Sequence, residues 1–251
     1  MSGSGPRVRV FFDIDGTLLY TDGAGRAALR SALEAVYGTA GPIEGYYFHG
    51  KTDPQIVVEL MSGAGIAAKE IARRLPSMWP VYLEALRREL EARRAAGRIT
   101  TLPGVSELLA ALVGRDDVAL GLLTGNIEEA ARLKLAAAGI TLTFDVGGFG
   151  SDSEDRSEIA RIAIERSRRS AKREAFVVVG DTPEDVACAR AVNARAVAVA
   201  TGRHGVAELE AAGADAVFED LRDTQRVLRC VLSLAAAASA SAAEAGNDGS
   251  R

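Results

Sequence analysis

The chain holds only two cysteines in 251 residues, Cys188 and Cys230, and their separation matches no metal-ligand spacing. They read as ordinary core thiols of a reducing compartment rather than as a disulfide framework or a thiolate metal site. No apolar run reaches the roughly 18 residues that a membrane-spanning helix requires. The opening Met-Ser-Gly-Ser-Gly-Pro-Arg lacks the apolar core of a signal peptide, so a cytoplasmic location is expected. Basic excess is missing as well. Thirty Lys and Arg stand against 34 Asp and Glu, a net charge of −4, which gives nucleic acid nothing to be drawn to.

What is present suits a globular fold. Hydrophobic residues make up 48% of the chain at a mean hydropathy of +0.07, ample for a core, and much of that content is alanine, which favours helix. The length fits one ordinary domain with an insertion, or two small domains. Val8-Arg9-Val10-Phe11-Phe12, bounded by Pro6 and Gly16, reads as a buried strand. Residues 24–98 then show helical spacing and almost nothing strand-like. Ala27, Ala28, Leu29, Leu33 and Val36 fall at helical spacing, Thr52-Asp53-Pro54 is a helix start, and a long Arg/Glu-rich stretch over 67–96 is interrupted by Pro76 and Pro80. From Leu102-Pro103-Gly104 onward strand and helix alternate. Strands are expected at 118–123, 144–146, 175–179, 196–199 and 214–218, the last at an edge. Helices are expected at 127–138, 157–168, 183–192, 206–211 and 223–234.

Continuous apolar strands separated by helices predict an α/β fold: a doubly wound, Rossmann-like parallel sheet with an inserted helical domain. The expected division is 7–20 and 100–234 for the sheet domain and 21–99 for the insertion. The Ala/Ser/Gly-rich segment 235–251 is expected to be a frayed or disordered tail.

In such sheets ligands bind beyond the carboxyl ends of strands, and three strand ends carry the right polar residues. The first ends in Asp13-Ile14-Asp15-Gly16-Thr17, the next in Thr124-Gly125-Asn126, and another in Gly180-Asp181-Thr182-Pro183-Glu184-Asp185. A strand delivers residues i and i+2 to one side. Asp13 and Asp15 therefore reach one small site, and two like charges so close imply metal binding, acid–base chemistry, or both. Thr124, with the backbone N–H groups of Gly125 and Asn126 at a helix start, suits either a phosphate oxygen or plain helix capping.

These segments resemble the motifs of the haloacid dehalogenase superfamily, in its phosphatase branch near phosphoglycolate phosphatase and β-phosphoglucomutase. Asp13, Asp15 and Thr17 fit its Asp-x-Asp-x-Thr motif, Thr124 its second, and Asp181 and Asp185 its Gly-Asp-x-x-x-Asp. The resemblance implies a Mg2+ site formed by Asp13, the backbone carbonyl of Asp15, and Asp181, with Asp185 orienting metal-bound water or its neighbours. It implies that Asp13 is a nucleophile and that Asp15 moves the proton of the leaving group. A dehalogenase needs no such proton and lacks the second aspartate, so phosphoester hydrolysis is expected. Gly16, Thr17, Thr124, Gly125 and Asn126 would surround the phosphate.

The family's third motif, a lysine, is missing. The matching stretch, from Gly150 to Ile159, supplies Arg156 instead, and Lys134 is a second candidate. Residues 21–99 fall where relatives carry a cap that excludes water and supplies specificity. Within it, Phe48-His49-Gly50-Lys51-Thr52-Asp53 is expected to place Lys51, with His49, to reach a polar or anionic part of the substrate. A Lys51 Schiff base in the manner of phosphonoacetaldehyde hydrolase, a phosphosugar mutase and a non-catalytic ligand-binding protein are the alternatives. Met78 and Trp79 are read as packing residues.

Overall fold

A computed structural model describes residues 7–169 and 174–248 of the protein. The first strand, β1 (Arg7–Phe12), lies in the middle of a six-stranded sheet. Its neighbours are β4 (Val118–Leu123) and β6 (Glu174–Gly180), with β5 (Val146–Gly148) outside β4 and β7 (Arg195–Val199) and β8 (Ala216–Phe218) outside β6. Every pairing in this sheet is parallel. Along β1, Val8, Val10 and Phe12 enter one apolar cluster while Phe11 enters another, the period-two alternation of a sheet buried on both faces. One face is covered by α4 (Val105–Val113) and α9 (Thr224–Asp248), the other by α6 (Arg156–Arg168), α7 (Pro183–Ala191) and α8 (Val206–Ala211). This is the doubly wound α/β architecture that the alternating pattern predicts, with β8 at its edge.

The helical insertion consists of α1 (Ala24–Tyr37), α2 (Asp53–Gly63) and α3 (Ala68–Ala95). They bury Leu29, Leu33, Val57, Leu60, Met61, Met78, Tyr82 and Leu86 together, joined by Ile127 and Ala130 at the start of α5 (Glu128–Ala137). Thr52 caps α2, its hydroxyl accepting from the Gln55 N–H at 3.2 Å, as the Thr-Asp-Pro start predicts. At both ends of the insertion, β2 (Leu19–Tyr20) pairs antiparallel with β3 (Thr100–Thr101). Two-residue strands are too short to leave a pattern in the sequence.

Three elements depart from the sequence reading. The strand expected at 144–146 lies at Val146–Gly148, where two glycines carry no strand signal. Helix α9 continues to Asp248, through most of the segment expected to be a frayed tail, because alanine sustains a helix and Ala235 is still buried; residues 249–251 lie outside the described ones. The third departure is α3, which runs unbroken through Pro76 and Pro80. Both prolines are exposed and one turn apart, so the carbonyls they leave without a helical partner share one side of the helix, the side open to solvent. Replacing either proline by alanine restores a hydrogen bond at an exposed position. Each of Pro76→Ala and Pro80→Ala is expected to raise unfolding stability by ~1–2 kcal/mol in urea titrations, and no gain would mean that the helix bends to relieve the ring.

Candidate active site

The carboxyl ends of β1, β4 and β6 meet at one point of the sheet. Asp13 directly follows β1, its N–H donating to the Val179 carbonyl at 3.0 Å, and Asp181 directly follows β6. Asp185 arrives from the first turn of α7, where Thr182 and Asp185 form a reciprocal capping box. Carboxylate oxygens of Asp13, Asp181 and Asp185 all lie within 4.8 Å of one another, and all three residues are buried. Burial, followed by the charge of Asp185, lifts Asp13 from the ordinary carboxylate range to about 7, against the pull of Arg156. Asp181 is pushed well above its usual range by burial and by the charges of Asp185 and Asp13.

The surroundings of Asp181 are tight. Thr17 donates to its Oδ1 at 3.1 Å, while Oδ2 has no hydrogen-bond partner among the described residues. A Cβ at Gly16, whose φ is +84°, would fall 2.4 Å from that Oδ2, and one at Gly202 would fall 1.8 Å from it. Two backbone segments therefore cradle a buried oxygen that the protein leaves unbonded. Thr201 ties them together, its hydroxyl donating to the Gly16 carbonyl at 2.6 Å. The 201–202 contribution follows β7, a fourth strand end that the motif search passed over. The carboxyl-end rule would have pointed to it, because Thr201-Gly202 lies just past the end of its strand, one residue further on than Asp13, Thr124 and Asp181.

Two cations reach the site, and each takes a different partner. Arg156, at the first position of α6, pairs with Asp185 and sits 3.8 Å from Asp13 Oδ1. Burial works against its charge, but Asp185 and Asp13 more than compensate, and its pKa rises. Lys134, on α5, donates to Asp15 Oδ2 and to Asn126 Oδ1, both at 2.6 Å. Its burial likewise opposes the charge, and Asp15 and Asp53 raise its pKa on balance. Of the two candidates for the missing lysine, Arg156 is therefore the one beside Asp13.

Thr124 is buried and accepts from the Asn126 N–H at 3.3 Å and from its side-chain amide at 2.9 Å. Its own hydroxyl hydrogen has no acceptor among the described residues. Gly125 and Asn126 precede α5 rather than opening it, and the Asn126 N–H is already directed at Thr124. Asp53 occupies the helix start itself. Its carboxylate accepts from the Ile127 N–H at 2.9 Å while its own N–H donates to the Gly125 carbonyl at 2.8 Å. Burial lifts Asp53 to about 6, offset in part by Lys134. The sequence shows Asp53 only as a helix-start acid of α2; nothing in the chain order reveals that it also caps a helix in the sheet domain.

A cleft of about 590 Å³ opens beside these groups, between the sheet edge and the insertion. Asp13, Asp15, Thr124, Lys134 and Arg156 line it from one side, Arg26, Tyr46, His49, Lys51 and Tyr82 from the other. Lys51 does not extend freely into it. The ammonium pairs with Glu59, donates to the Tyr46 hydroxyl at 3.1 Å, and lies 4.6 Å from the centre of the Tyr46 ring. Met78 is fully buried and Trp79 packs edge-on to Tyr82, in keeping with packing roles.

The crowding around Asp181 yields a test. Gly16→Ala adds a side chain to a left-handed backbone position and drives it into a buried carboxylate. It should cost about 1–3 kcal/mol of stability in denaturant unfolding, and a neutral result would mean that Asp181 swings aside freely.

Residues 10–199 match the haloacid dehalogenase-like hydrolase family. No curated protein sequence matches the chain. Among solved structures, a hydrolase from Pseudomonas syringae superposes with a TM-score of 0.64 at 22% identity, covering 89% of this chain and 98% of its own. A predicted phosphatase from Clostridium acetobutylicum gives 0.62 at 17% identity, covering 90% and 100%. CbbY from Rhodobacter sphaeroides, solved in complex with phosphate, gives 0.55 at 21% identity, covering 86% and 95%. The match over residues 10–199, carried by a parallel α/β sheet with aspartates at its carboxyl edge, makes this chain a member of the haloacid dehalogenase-like hydrolases.

Proposed function

We propose that the protein is a Mg2+-dependent phosphatase that hydrolyses a small phosphorylated metabolite through an aspartyl-phosphate on Asp13. One observation carries this reading: three buried carboxylates share a space under 4.8 Å across, with a single guanidinium at its side and a cleft in front. Two similar structures support this reading, one a predicted phosphatase and the other solved in complex with phosphate.

The residues present fit a divalent metal. The donors are all oxygens, the preference of a hard cation, and the orphaned Asp181 Oδ2 is a buried acceptor that calls for a positive partner. Asp13 and Asp181 would hold the ion, with the backbone carbonyl of Asp15. Asp185 has one oxygen on Arg156 and the other on Thr182, so its part is to fix those two residues. When bound, Mg2+ supplies positive charge against the phosphate oxygens and the nucleophile.

The protein's own groups do the rest. Unit charges ~4 Å apart at an effective dielectric of 20 repel by about 4 kcal/mol, and Arg156 beside Asp13 offsets part of that barrier. Thr124 offers its unspent hydroxyl hydrogen to a phosphate oxygen. Asp13 attacks phosphorus as the bond to the leaving oxygen breaks, and Asp15 protonates that oxygen. Asp15 then takes a proton from the water that cleaves the Asp13–phosphorus linkage. Asp15 also argues against carbon–halogen chemistry, in which halide leaves without a proton. The Schiff-base alternative loses support, because the Lys51 ammonium is held by Glu59.

Asp13→Asn should lower p-nitrophenyl phosphate turnover by at least ~10³-fold, and EDTA should abolish turnover reversibly; activity that survives both overturns the proposal. A pH dependence follows from Asp13. Its pKa in the metal-free protein, about 7, lies above the unfolded value of 3.8, so the folded state binds the extra proton. Metal-free stability therefore falls as pH rises from about 4 to 7, where Asp13 ionises, and levels off above. Bound metal reverses that loss and must displace the proton. The melting-temperature gain on adding Mg2+ should thus be larger at pH 8 than at pH 6, with affinity falling about tenfold per pH unit below 7. Equal gains at both would show that Asp13 is not a ligand.

A further inference from the structure

We infer that Lys134 is a positioning residue for Asp15, fixing which of its carboxylate oxygens handles the leaving-group proton. The inference rests on the phosphatase reading and assigns Lys134 to the leaving group, away from the phosphate.

Lys134 is only 5% exposed, on the inward face of α5 beside Ala130, Ala131 and Leu135. A buried ammonium persists only when it is paired and hydrogen-bonded, and here both partners are specific. Nζ donates at 2.6 Å to Asp15 Oδ2 and at 2.6 Å to Asn126 Oδ1. Asn126 then turns its amide nitrogen to the same Asp15 Oδ2, at 2.8 Å. The side-chain amide is further fixed by its donation to Thr124 at 2.9 Å. Asp15 Oδ2 thus accepts from two donors, both on buried side chains. Oδ1 has no hydrogen-bond partner among the described residues, and the Asp15 side chain, 44% exposed, lines the cleft. One oxygen is pinned by the protein and the other is left free beside the cleft.

That geometry divides the work. In the first step the Oδ1–H bond breaks and the proton passes to the departing oxygen, while the phosphorus bond shifts from that oxygen to Asp13. In the second, a water proton returns to Oδ1 as the water oxygen displaces Asp13 from phosphorus. Without Lys134, Asp15 loses the ammonium that holds Oδ2, and its carboxyl group rotates away from the in-line direction.

Leaving-group dependence reads this directly. p-Nitrophenolate departs with little need of a proton, whereas phenolate and an alkoxide need one. In Lys134→Met, kcat/KM for β-glycerophosphate and phenyl phosphate should fall by about 10²-fold. The fall for p-nitrophenyl phosphate should be smaller by about tenfold, since proton donation contributes less to that step. The kcat for p-nitrophenyl phosphate should drop further than its kcat/KM, because dephosphorylation still needs Asp15 as a base. Asn126→Ser removes one of the two donors and should show the same selectivity at smaller size, which keeps the test open should the methionine variant misfold. A uniform loss across all three substrates in whichever variant folds overturns the assignment and makes Lys134 a phosphate-binding or structural residue. Failure of the phosphatase reading is separate: wild-type protein with Mg2+ would then turn over none of the three.

Discussion

Three carboxylates buried within a few ångströms of one another are the constraint on which the rest of the structure depends. Left alone they would repel strongly and pay heavily for lost hydration. The fold holds them there by topology. Asp13 and Asp181 close two adjacent parallel strands, and Asp185 is locked to the first turn of α7 by the capping box it shares with Thr182. The backbone of each is thereby fixed by sheet or helix. Arg156 offsets part of the charge, and the orphaned oxygen of Asp181 marks the remainder. The charge of the site is therefore only partly balanced by the described residues.

The two buried cations keep the two chemically distinct aspartates apart. Arg156 stands with Asp13 and Asp185 on the α6–α7 side, and Lys134 stands with Asp15 and Asn126 on the α5 side. Each sees mainly its own carboxylate. The insertion meets this arrangement at Asp53, which caps α5 from the first turn of α2 and contributes to the field around Lys134. The wall of the cleft on that side and the surroundings of Asp15 and Lys134 are thus built on shared residues.

Much of this was legible before any coordinates. The strands that carry Asp13, Thr124 and Asp181 have continuous apolar runs, and buried parallel strands advertise themselves in that way. Their polar endings fell at one sheet edge because parallel topology puts all carboxyl ends together. Less legible was whatever depended on pairings distant in sequence. Asp53 looks like a local helix-start acid, and its contact with Ile127 spans 74 positions. Lys134 looks like a surface charge on a short helix until Asp15, 119 positions away, is placed beside it. Arg156 and Lys134 could not be ranked by charge alone, since reach decides between them. Pro76 and Pro80 read as breaks because propensity argues locally, whereas α3 is held by the tertiary packing of Met78, Tyr82 and Leu86. The alanine-rich end misled in the opposite sense: low complexity suggested disorder, while helix propensity carried α9 onward.

The central place of β1 in the sheet also bears on how the chain acquires its structure. Its first flank closes only when Val8 meets Val118, and its second only when it meets Ala175. During ribosomal synthesis, the strand that ends at Asp13 must therefore wait for well over half the polypeptide to emerge before both its flanks are paired. Until then Val10, Phe11 and Phe12 present an unsatisfied, sticky ribbon, the kind of segment that chaperones capture and that aggregates in their absence. Long loop closures of this sort make for slow, high-contact-order assembly. The first aspartate of the site thus follows a strand whose two partners both lie far along the chain, and the site cannot assemble before they do.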